Sequence, residues 1–439
     1  MAHEPGLAWQ GRCEPRRAVM NLGIELLPER CDVLVVGAGP AGAAAAQVLA
    51  RADRRTVLVD AQAFPRDKVC GDGLIPDAHR ALARLGVLDA VMAEARQSSA
   101  LGCVAPRGGR VDVPGHLAVL PRKRLDEIVC AAAVAAGARM HAPLRFVAPL
   151  RDGSGRVVGA RLQHGTTVRE IGASWLVLAT GAQPQALVAA AMCERRMPSG
   201  VALRGYVRNA AMSTRITSLE VVWHKRLRSG YGWIFPCGSD LFNIGVGVAQ
   251  GHLAHGGEAA KPELNLRELF AAFQQVHAPA RELVEGGAWQ AESGQELKGA
   301  PLRCSLEGAR LEAPGLLVSG EAAGATYAAT GEGIGKAMET GMHAAEAILA
   351  GAPGDASAAA DADVRADYAA RLLALKPRFA IYAEAHRASA HPWLIDLLVW
   401  SAKRSPHRLE RLAGVLDETY VPSDAVSVRG VLRRLVDWR

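Results

Sequence analysis

Three observations predict an α/β protein with a parallel-sheet nucleotide domain, an inserted antiparallel sheet and a helical C-terminal region. An apolar run, a glycine turn and an Ala-rich stretch follow one another between Cys31 and Ala50. A second run of the same kind, Gly315 to Gly320, leads through glycines into another helical stretch. Between these units, Val201 to Val248 changes to alternating β-branched and aromatic residues.

The first unit carries the strongest signal. Val33 to Val36 reads as a strand buried on both faces, because an apolar run without polar alternation needs cover above and below. It breaks at Gly37, and Ala43 to Ala50 follows with high helix propensity. In Gly37-Ala38-Gly39-Pro40-Ala41-Gly42, Gly37 allows the turn and Gly39 lets the backbone approach a pyrophosphate. Gly42 lets helix and strand pack closely, and the helix N-terminus offers free N–H groups to the anion. Asp60 lies eighteen residues past Gly42 and closes a second strand, Thr56 to Val59, where an acid meets ribose hydroxyls. Strand, turn, helix and acid together describe a Rossmann-like dinucleotide site.

Composition narrows the class. Half of the 439 residues are hydrophobic and 22% are charged, as in ordinary globular proteins. No apolar run reaches the ~18 residues that span a bilayer. Residues 1–29 are polar and lack the apolar segment of a secretory signal, so a disordered leader is expected there. The net charge is +7, but the basic residues are scattered and the longest run is Arg122-Lys123-Arg124. A nucleic-acid partner is therefore not expected, while anionic membrane surfaces and phosphate-bearing ligands stay open. The eight cysteines show no Cys-x-x-Cys spacing, which argues against metal clusters and a disulfide scaffold. Reduced thiols and a cytoplasmic location follow as the default.

Along the chain, Ala63 to Leu74 reads as a loop in which Cys70, between Lys68 and glycines, is expected to have a lowered pKa. A helix is expected over Pro76 to Leu85, and another after Arg122, ending near Gly137. Residues 139–171 alternate as strands around an Asp152-Gly153-Ser154-Gly155 turn, and Trp175 to Ala179 reads as a separate buried strand ending at Thr180-Gly181. The inserted sheet includes Tyr231-Gly232-Trp233-Ile234-Phe235-Pro236, which suits the wall of a substrate pocket or a packed core. One helix is expected in the polar stretch 250–300, at Leu264 to Val276. Glu321 and Thr330-Gly331-Glu332-Gly333-Ile334 precede a helix from Lys336 to Leu349, a unit too loose for a second dinucleotide site and suited to completing the first. Ala350 to Val364 reads as a linker. The run from Pro392 is apolar and then basic, fitting either packing on the body or contact with a membrane interface. The expected division is a nucleotide domain over 30–200 and 300–350, a substrate domain over 201–299 and a helical region over 351–439.

Together these motifs resemble the geranylgeranyl reductase family, within the flavoproteins of para-hydroxybenzoate hydroxylase-like fold, over roughly residues 30–350. Gly37 to Gly42 looks like the FAD turn, and Lys68-Val69-Cys70-Gly71 resembles the loop beside the isoalloxazine. Tyr231, Trp233 and Phe235 match the substrate-pocket strand. Gly320 to Gly324 and Thr330 to Ile334 resemble the segment that holds the ribityl chain and flavin O2. Arg122 matches the arginine set against FAD. Glu321 stands where Asp is usual, and no proline occurs at 328 or 329.

The resemblance implies an FAD-dependent oxidoreductase that reduces carbon–carbon double bonds of a prenyl chain on a lipid, quinone or diphosphate. NAD(P)H or a reduced redox carrier would supply electrons. It implies FAD contacts at Gly37, Gly39, Ala41, Gly42, Asp60, Lys68, Cys70, Gly71, Arg122, Gly181, Glu321, Gly331, Gly333 and Ile334. Tyr231, Trp233 and Phe235 would wall the pocket, and Cys70 would gate it or deliver a proton. A monooxygenase or halogenase on the same scaffold is the alternative, although the strand reads Tyr-x-Trp-x-Phe-Pro rather than Trp-x-Trp-x-Ile-Pro. A third reading is a non-catalytic FAD-binding module docked on membranes through residues 392–412.

Overall fold

The uninterrupted apolar runs form the centre of the first sheet. The structure, a computed structural model, describes residues 21–227, 230–249, 265–291, 294–351, 357–389 and 391–418. Strands Leu316–Val318, Thr167–Leu178, Arg30–Val36, Thr56–Val59 and Arg139–His141 lie side by side and parallel. Leu34, Val35, Leu58, Val177 and Leu317 are fully buried, as expected of strands covered on both faces. A hairpin of Arg145–Arg151 and Val157–His164 extends the sheet antiparallel from Thr167–Leu178. The two stretches expected as separate strands at 139–171 and 175–179 thus share this one long strand. Its first half is exposed hairpin and its second half is core, so its polarity changes midway.

Helices Pro40–Arg51 and Ile334–Ala350 cover the sheet and cross at small residues. A Cβ built on Gly341 would lie 2.0 Å from the Ala41 carbonyl oxygen, so only glycine permits this approach. Gly320 meets the same residue, with its Cβ position 2.6 Å from the Ala41 Cβ. The two glycine-rich units, distant in sequence, therefore share one contact point.

The second sheet runs in the order Ala288–Trp289, Gly200–Arg208, Leu241–Ala249, Tyr231–Pro236, Leu219–Val222, Arg96–Val104, Arg110–Val119, Gly73–Leu74, with Lys298–Leu302 also on Gly200–Arg208. Three of these strands precede residue 120, in the stretch expected to belong wholly to the nucleotide domain. Leu219–Val222 also runs parallel to Arg96–Val104, an exception to the expected antiparallel pairing. Both departures arise because short or half-exposed strands carry no local mark of their partners. A second short helix, Ala278–Glu285, follows Leu266–Val276 directly, where one helix was expected. Residues 250–264, expected to be polar, lie outside the described residues.

Of the expected leader, residues 1–20 lie outside the described residues. Residues 21–29 are packed rather than disordered. Ile24 and Leu27 are buried, and Asn21 exchanges hydrogen bonds with the Phe64 backbone at 2.8 and 3.0 Å. The expected linker likewise holds the start of helix Ala358–Ser389. Asp361 there accepts hydrogen bonds from the Gly315 amide (2.8 Å), Arg156 (3.0 Å) and Arg365 (2.8 Å), which fixes the Ala-rich segment to the body.

Helix Pro392–Arg404 buries Leu394, Val399 and Ala402, the last two packing with Val111 and Val113. It turns Trp393 and Trp400 outward, each 46% exposed. No helix among the described residues is long and apolar enough to cross a membrane.

Candidate functional site

A cavity of about 1170 Å³ runs from the first glycine turn to the second sheet. That exceeds the ~300–1,000 Å³ of most small-molecule sites and leaves room for a dinucleotide beside a second molecule. Every residue assigned to FAD from the sequence lines it except Gly42, which packs behind the turn: Gly37, Gly39, Ala41, Asp60, Lys68, Cys70, Gly71, Arg122, Gly181, Glu321, Gly331, Gly333 and Ile334. Tyr231, Trp233 and Phe235 line it as well.

At the first turn, Asp60 closes its strand and accepts hydrogen bonds from the Ala38 and Gln62 amides, both at 2.9 Å. It remains in the cavity wall. Helix Pro40–Arg51 has no side-chain cap, so its first N–H groups are available to an anion. Two guanidinium groups stand over this end. A Cβ built on Gly39 would lie 3.4 Å from an Arg66 nitrogen and 3.9 Å from one of Arg122. Arg122 opens helix Arg122–Ala135 rather than preceding it, and makes two hydrogen bonds (2.6 and 2.8 Å) to Asp126 one turn on. Arg66 also binds Asp126, at 3.0 Å, and lies over the Phe64 ring. Arg66 was not anticipated from the sequence, where it reads as one charge among several in a loop.

Farther along, the loop and the second unit meet through Lys68 and Glu321, whose charged groups are 3.4 Å apart. Nearby, the buried Thr180 hydroxyl has no hydrogen-bond partner. A buried hydroxyl is normally paired, so Thr180 is available to a bound group. Helix Ile334–Ala350 also begins without a side-chain cap, at Gly333. Two uncapped helix ends, a pair of guanidiniums, an acid at the ribose position and an orphan hydroxyl fit a flavin dinucleotide running between the glycine turns. Bound there, the flavin would supply the hydride chemistry, with the protein setting its position and surroundings.

Beyond lies an aromatic ladder. Trp223, Tyr231, Trp233 and Phe235 follow one another with ring centroids 6.4, 6.1 and 6.5 Å apart. The Tyr231 hydroxyl donates to the Thr330 carbonyl at 2.5 Å, tying the ladder to the second glycine loop. The Trp233 indole N–H donates to Asn243 at 2.8 Å, which fixes its ring. Leu101, Leu117 and Leu219 continue the wall as an aliphatic end, where Leu416 packs beside Leu117 and Leu219.

The Cys70–Asp72 segment is held by a buried polar network that the sequence did not disclose. Asn243 donates to the Cys70 carbonyl (2.8 Å) and to Asp72 (2.7 Å). Asp72 also accepts from the Tyr206 hydroxyl (2.5 Å) and the Arg122 amide (3.1 Å). These partners come from two distant strands and one helix, so nothing local marks them. Burial pushes the Cys70 thiol pKa up, with Arg122 opposing, so the lowering expected from its basic neighbours does not occur. The thiol keeps its proton.

Burial also pushes Asp72 up to about 6, although Arg204, Tyr206 and Asn243 pull it back. Its folded-state pKa exceeds the unfolded value of ~3.9. The folded state therefore holds the proton longer, and stability falls as pH rises from about 4 to about 6. The upper bound on that loss is roughly 3 kcal/mol. Asp72 has φ +65°, a conformation that asparagine tolerates. Asp72→Asn is expected to flatten this part of the stability curve in urea titrations at pH 4, 5 and 6. An unchanged slope would show that the carboxyl does not titrate there.

Comparison with known proteins places these features. Residues 30–218 match the FAD binding domain family. The chain is 35% identical to the menaquinone reductase of Mycolicibacterium smegmatis over 80% of its own length and 86% of that protein. It is 28% identical to digeranylgeranylglycerophospholipid reductase 1 of Methanopyrus kandleri, over 72% of this chain and 80% of that one. Among solved structures it resembles a geranylgeranyl bacteriochlorophyll reductase-like protein from Thermoplasma acidophilum, with TM-score 0.66, 21% identity and coverage of 93% and 96%. The flavin-dependent brominase Bmp2 shares the fold at TM-score 0.70 and 17% identity, over 93% of this chain and 98% of that one.

Proposed function

The chain belongs to the geranylgeranyl reductase-like family of FAD-dependent oxidoreductases, and on that premise we propose that it saturates carbon–carbon double bonds in a prenyl chain, carried on a quinone, a lipid or a diphosphate. The observation that carries this reading is the form of the cavity. It is cationic at the first glycine turn, polar at the second, and becomes aromatic and aliphatic from Tyr231 to Leu117. An isoprenoid tail needs such a dry, elongated slot. The relatives named for menaquinone and digeranylgeranylglycerophospholipid reduction favour a quinone or lipid carrier.

A reduced flavin held at this site would supply the hydride for one alkene carbon. An isolated alkene accepts hydride poorly, so this chain's residues must align it, exclude water and bring a proton to the other carbon. Trp233, pinned by Asn243, and Phe235 would orient the tail. Tyr231 would hold the Thr330 loop against the ring. Lys68, Gly71, Gly181 and Glu321 would also frame the flavin, with Gly71 against Phe235 and Trp233. The sequence carries no second dinucleotide turn, so a transiently bound NAD(P)H or a small redox carrier would deliver the electrons. We assign contact with the membrane surface to the outward Trp393 and Trp400, the latter stacked under Arg404 at 4.3 Å, with Lys403 beside them.

The test is anaerobic. Purified protein reduced with dithionite is expected to add two hydrogens per double bond to a member of a panel of prenyl quinones, prenyl lipids and prenyl diphosphates, read by mass spectrometry. Absence of saturated product across the panel would overturn the reading. Substrate-dependent oxygen consumption with an oxygenated product would establish the monooxygenase alternative instead.

A further inference from the structure

Alkene saturation requires an acid whose proton is present at neutral pH and available at the slot. The cavity wall near the ladder carries Cys70, Asp72, Tyr231, Cys304, Tyr327 and Glu332. Asp72 is held by Tyr206 and Asn243, Tyr327 gives its proton to Glu418, and burial pushes Cys304 up to about 12, which leaves Cys70, Tyr231 and Glu332. The thiol and the phenol are both weakened as acids by burial, with Tyr231 beyond reach of neutral pH. Tyr231 also commits its proton to the Thr330 carbonyl. That leaves Glu332, in the loop that tops helix Ile334–Ala350.

The surroundings of Glu332 keep it neutral. Asp77, on helix Pro76–Arg84, and Glu418, after helix Pro406–Leu416, both bear on it electrostatically. Tyr231 and Tyr382 feel its charge in turn. The lysine four residues on, Lys336, is engaged by other acids: Glu339 at 2.7 Å, Glu418 at 3.1 Å and Asp77 at 4.0 Å. Arg80 and Arg378 are drawn to Glu418 as well, each at 2.9 Å. Every cation in the cluster is thus taken by a carboxylate other than Glu332, and no ion pair reaches Glu332 among the described residues. Burial first, then Asp77, raises its pKa to about 8, with a Thr330 hydrogen bond opposing.

We propose that the Glu332 carboxyl is the proton donor of the reduction. The alkene π pair takes the Glu332 proton at one carbon, forming a C–H bond as the O–H bond breaks. The other carbon accepts hydride from the reduced flavin. The alkene gains two electrons, the flavin loses two, and the Glu332 carboxylate recovers its proton from water. The Gly331 turn supports this placement. A Cβ on Gly331 would lie 2.5 Å from the Tyr231 hydroxyl, so the loop is pressed against the ladder.

The inference rests on the prenyl-reduction reading, and two measurements separate them. Wild-type turnover on the prenyl panel tests the reading. Glu332→Gln, nearly the same shape, then tests the donor: saturation is expected to fall ~10²–10⁴-fold while FAD binding and the flavin spectrum stay unchanged. Glu332→Asp keeps an acid and is expected to retain more activity than Glu332→Gln. Equal losses in the two variants, or wild-type rates in Glu332→Gln, would overturn the assignment. The FAD-free protein gives an independent readout. Infrared carboxylic-acid bands of Asp72, Asp77 and Glu332 are expected to titrate near 6, 7 and 8, and Glu332→Gln should delete only the highest. A highest band that survives in Glu332→Gln would equally sink the proposal.

Discussion

Gly42→Val is expected to yield protein that retains no FAD and unfolds at markedly lower denaturant. A Cβ at residue 42 would lie 1.8 Å from the Gly37 carbonyl oxygen and 3.2 Å from a Val35 methyl. Neither neighbour can yield cheaply. Gly37 has φ +101°, with its own Cβ position 2.3 Å from the Ala179 carbonyl, so the turn is already wedged against the adjacent strand. The added side chain must therefore lift helix Pro40–Arg51 from the sheet, which moves its N–H groups away from the pyrophosphate. Overpacking of this kind costs ~1–3 kcal/mol, and more where backbone is the obstacle. Flavin absorbance per protein after reconstitution, with the urea midpoint, measures both effects. Gly153→Ala is the control, since its Cβ position has open space around it. Wild-type FAD content in Gly42→Val would refute the assignment of this turn to the cofactor.

Asp126→Ala is expected to be nearly as damaging, for an electrostatic reason. Asp126 is fully buried and receives both Arg122 and Arg66. Removing it strands the buried Arg122 guanidinium without a carboxylate partner, which costs ~3–5 kcal/mol. It also frees the two cations that stand over Gly39, so FAD affinity should fall with stability. A paired substitution separates the effects. In Arg122→Met/Asp126→Leu the buried pair is replaced by apolar side chains of similar size, and stability should return towards wild type. FAD affinity should not return, because one cation is lost and Arg66 is left with the looser Asp60 contact at 3.5 Å. Denaturant midpoints of the FAD-free proteins and fluorescence titration with FAD read the two quantities. Full recovery of FAD affinity in the double variant would show that Arg122 serves packing alone.

The buried network around Asp72 shows why part of the site could not be read from local pattern. Cys70 looks like an activated thiol in sequence, with Lys68 two residues away. In the folded protein burial outweighs the cations, and Asn243, from a strand far along the chain, anchors the Cys70 carbonyl. Arg66 was hidden in the same way: only the fold brings it over Gly39. Glu332 looks like one acid in a glycine loop until Asp77 and Glu418 arrive beside it and Lys336 is drawn elsewhere.

What the chain determines locally is what short-range physics can specify. Glycine spacing, apolar runs and helix propensity set the strand–turn–helix at Arg30–Arg51, the acid at residue 60 and the Tyr231–Pro236 strand. These indicated a dinucleotide site, and the FAD-dependent reductase was what the resemblance of the motifs to a known family implied. Only the tertiary structure decided that three early strands join the second sheet, and that Arg66 and Arg122 share one carboxylate. It likewise decided which acids keep their protons. Strand partners and pKa values depend on groups brought together through space, and burial reverses the charge preferences that sequence neighbours suggest.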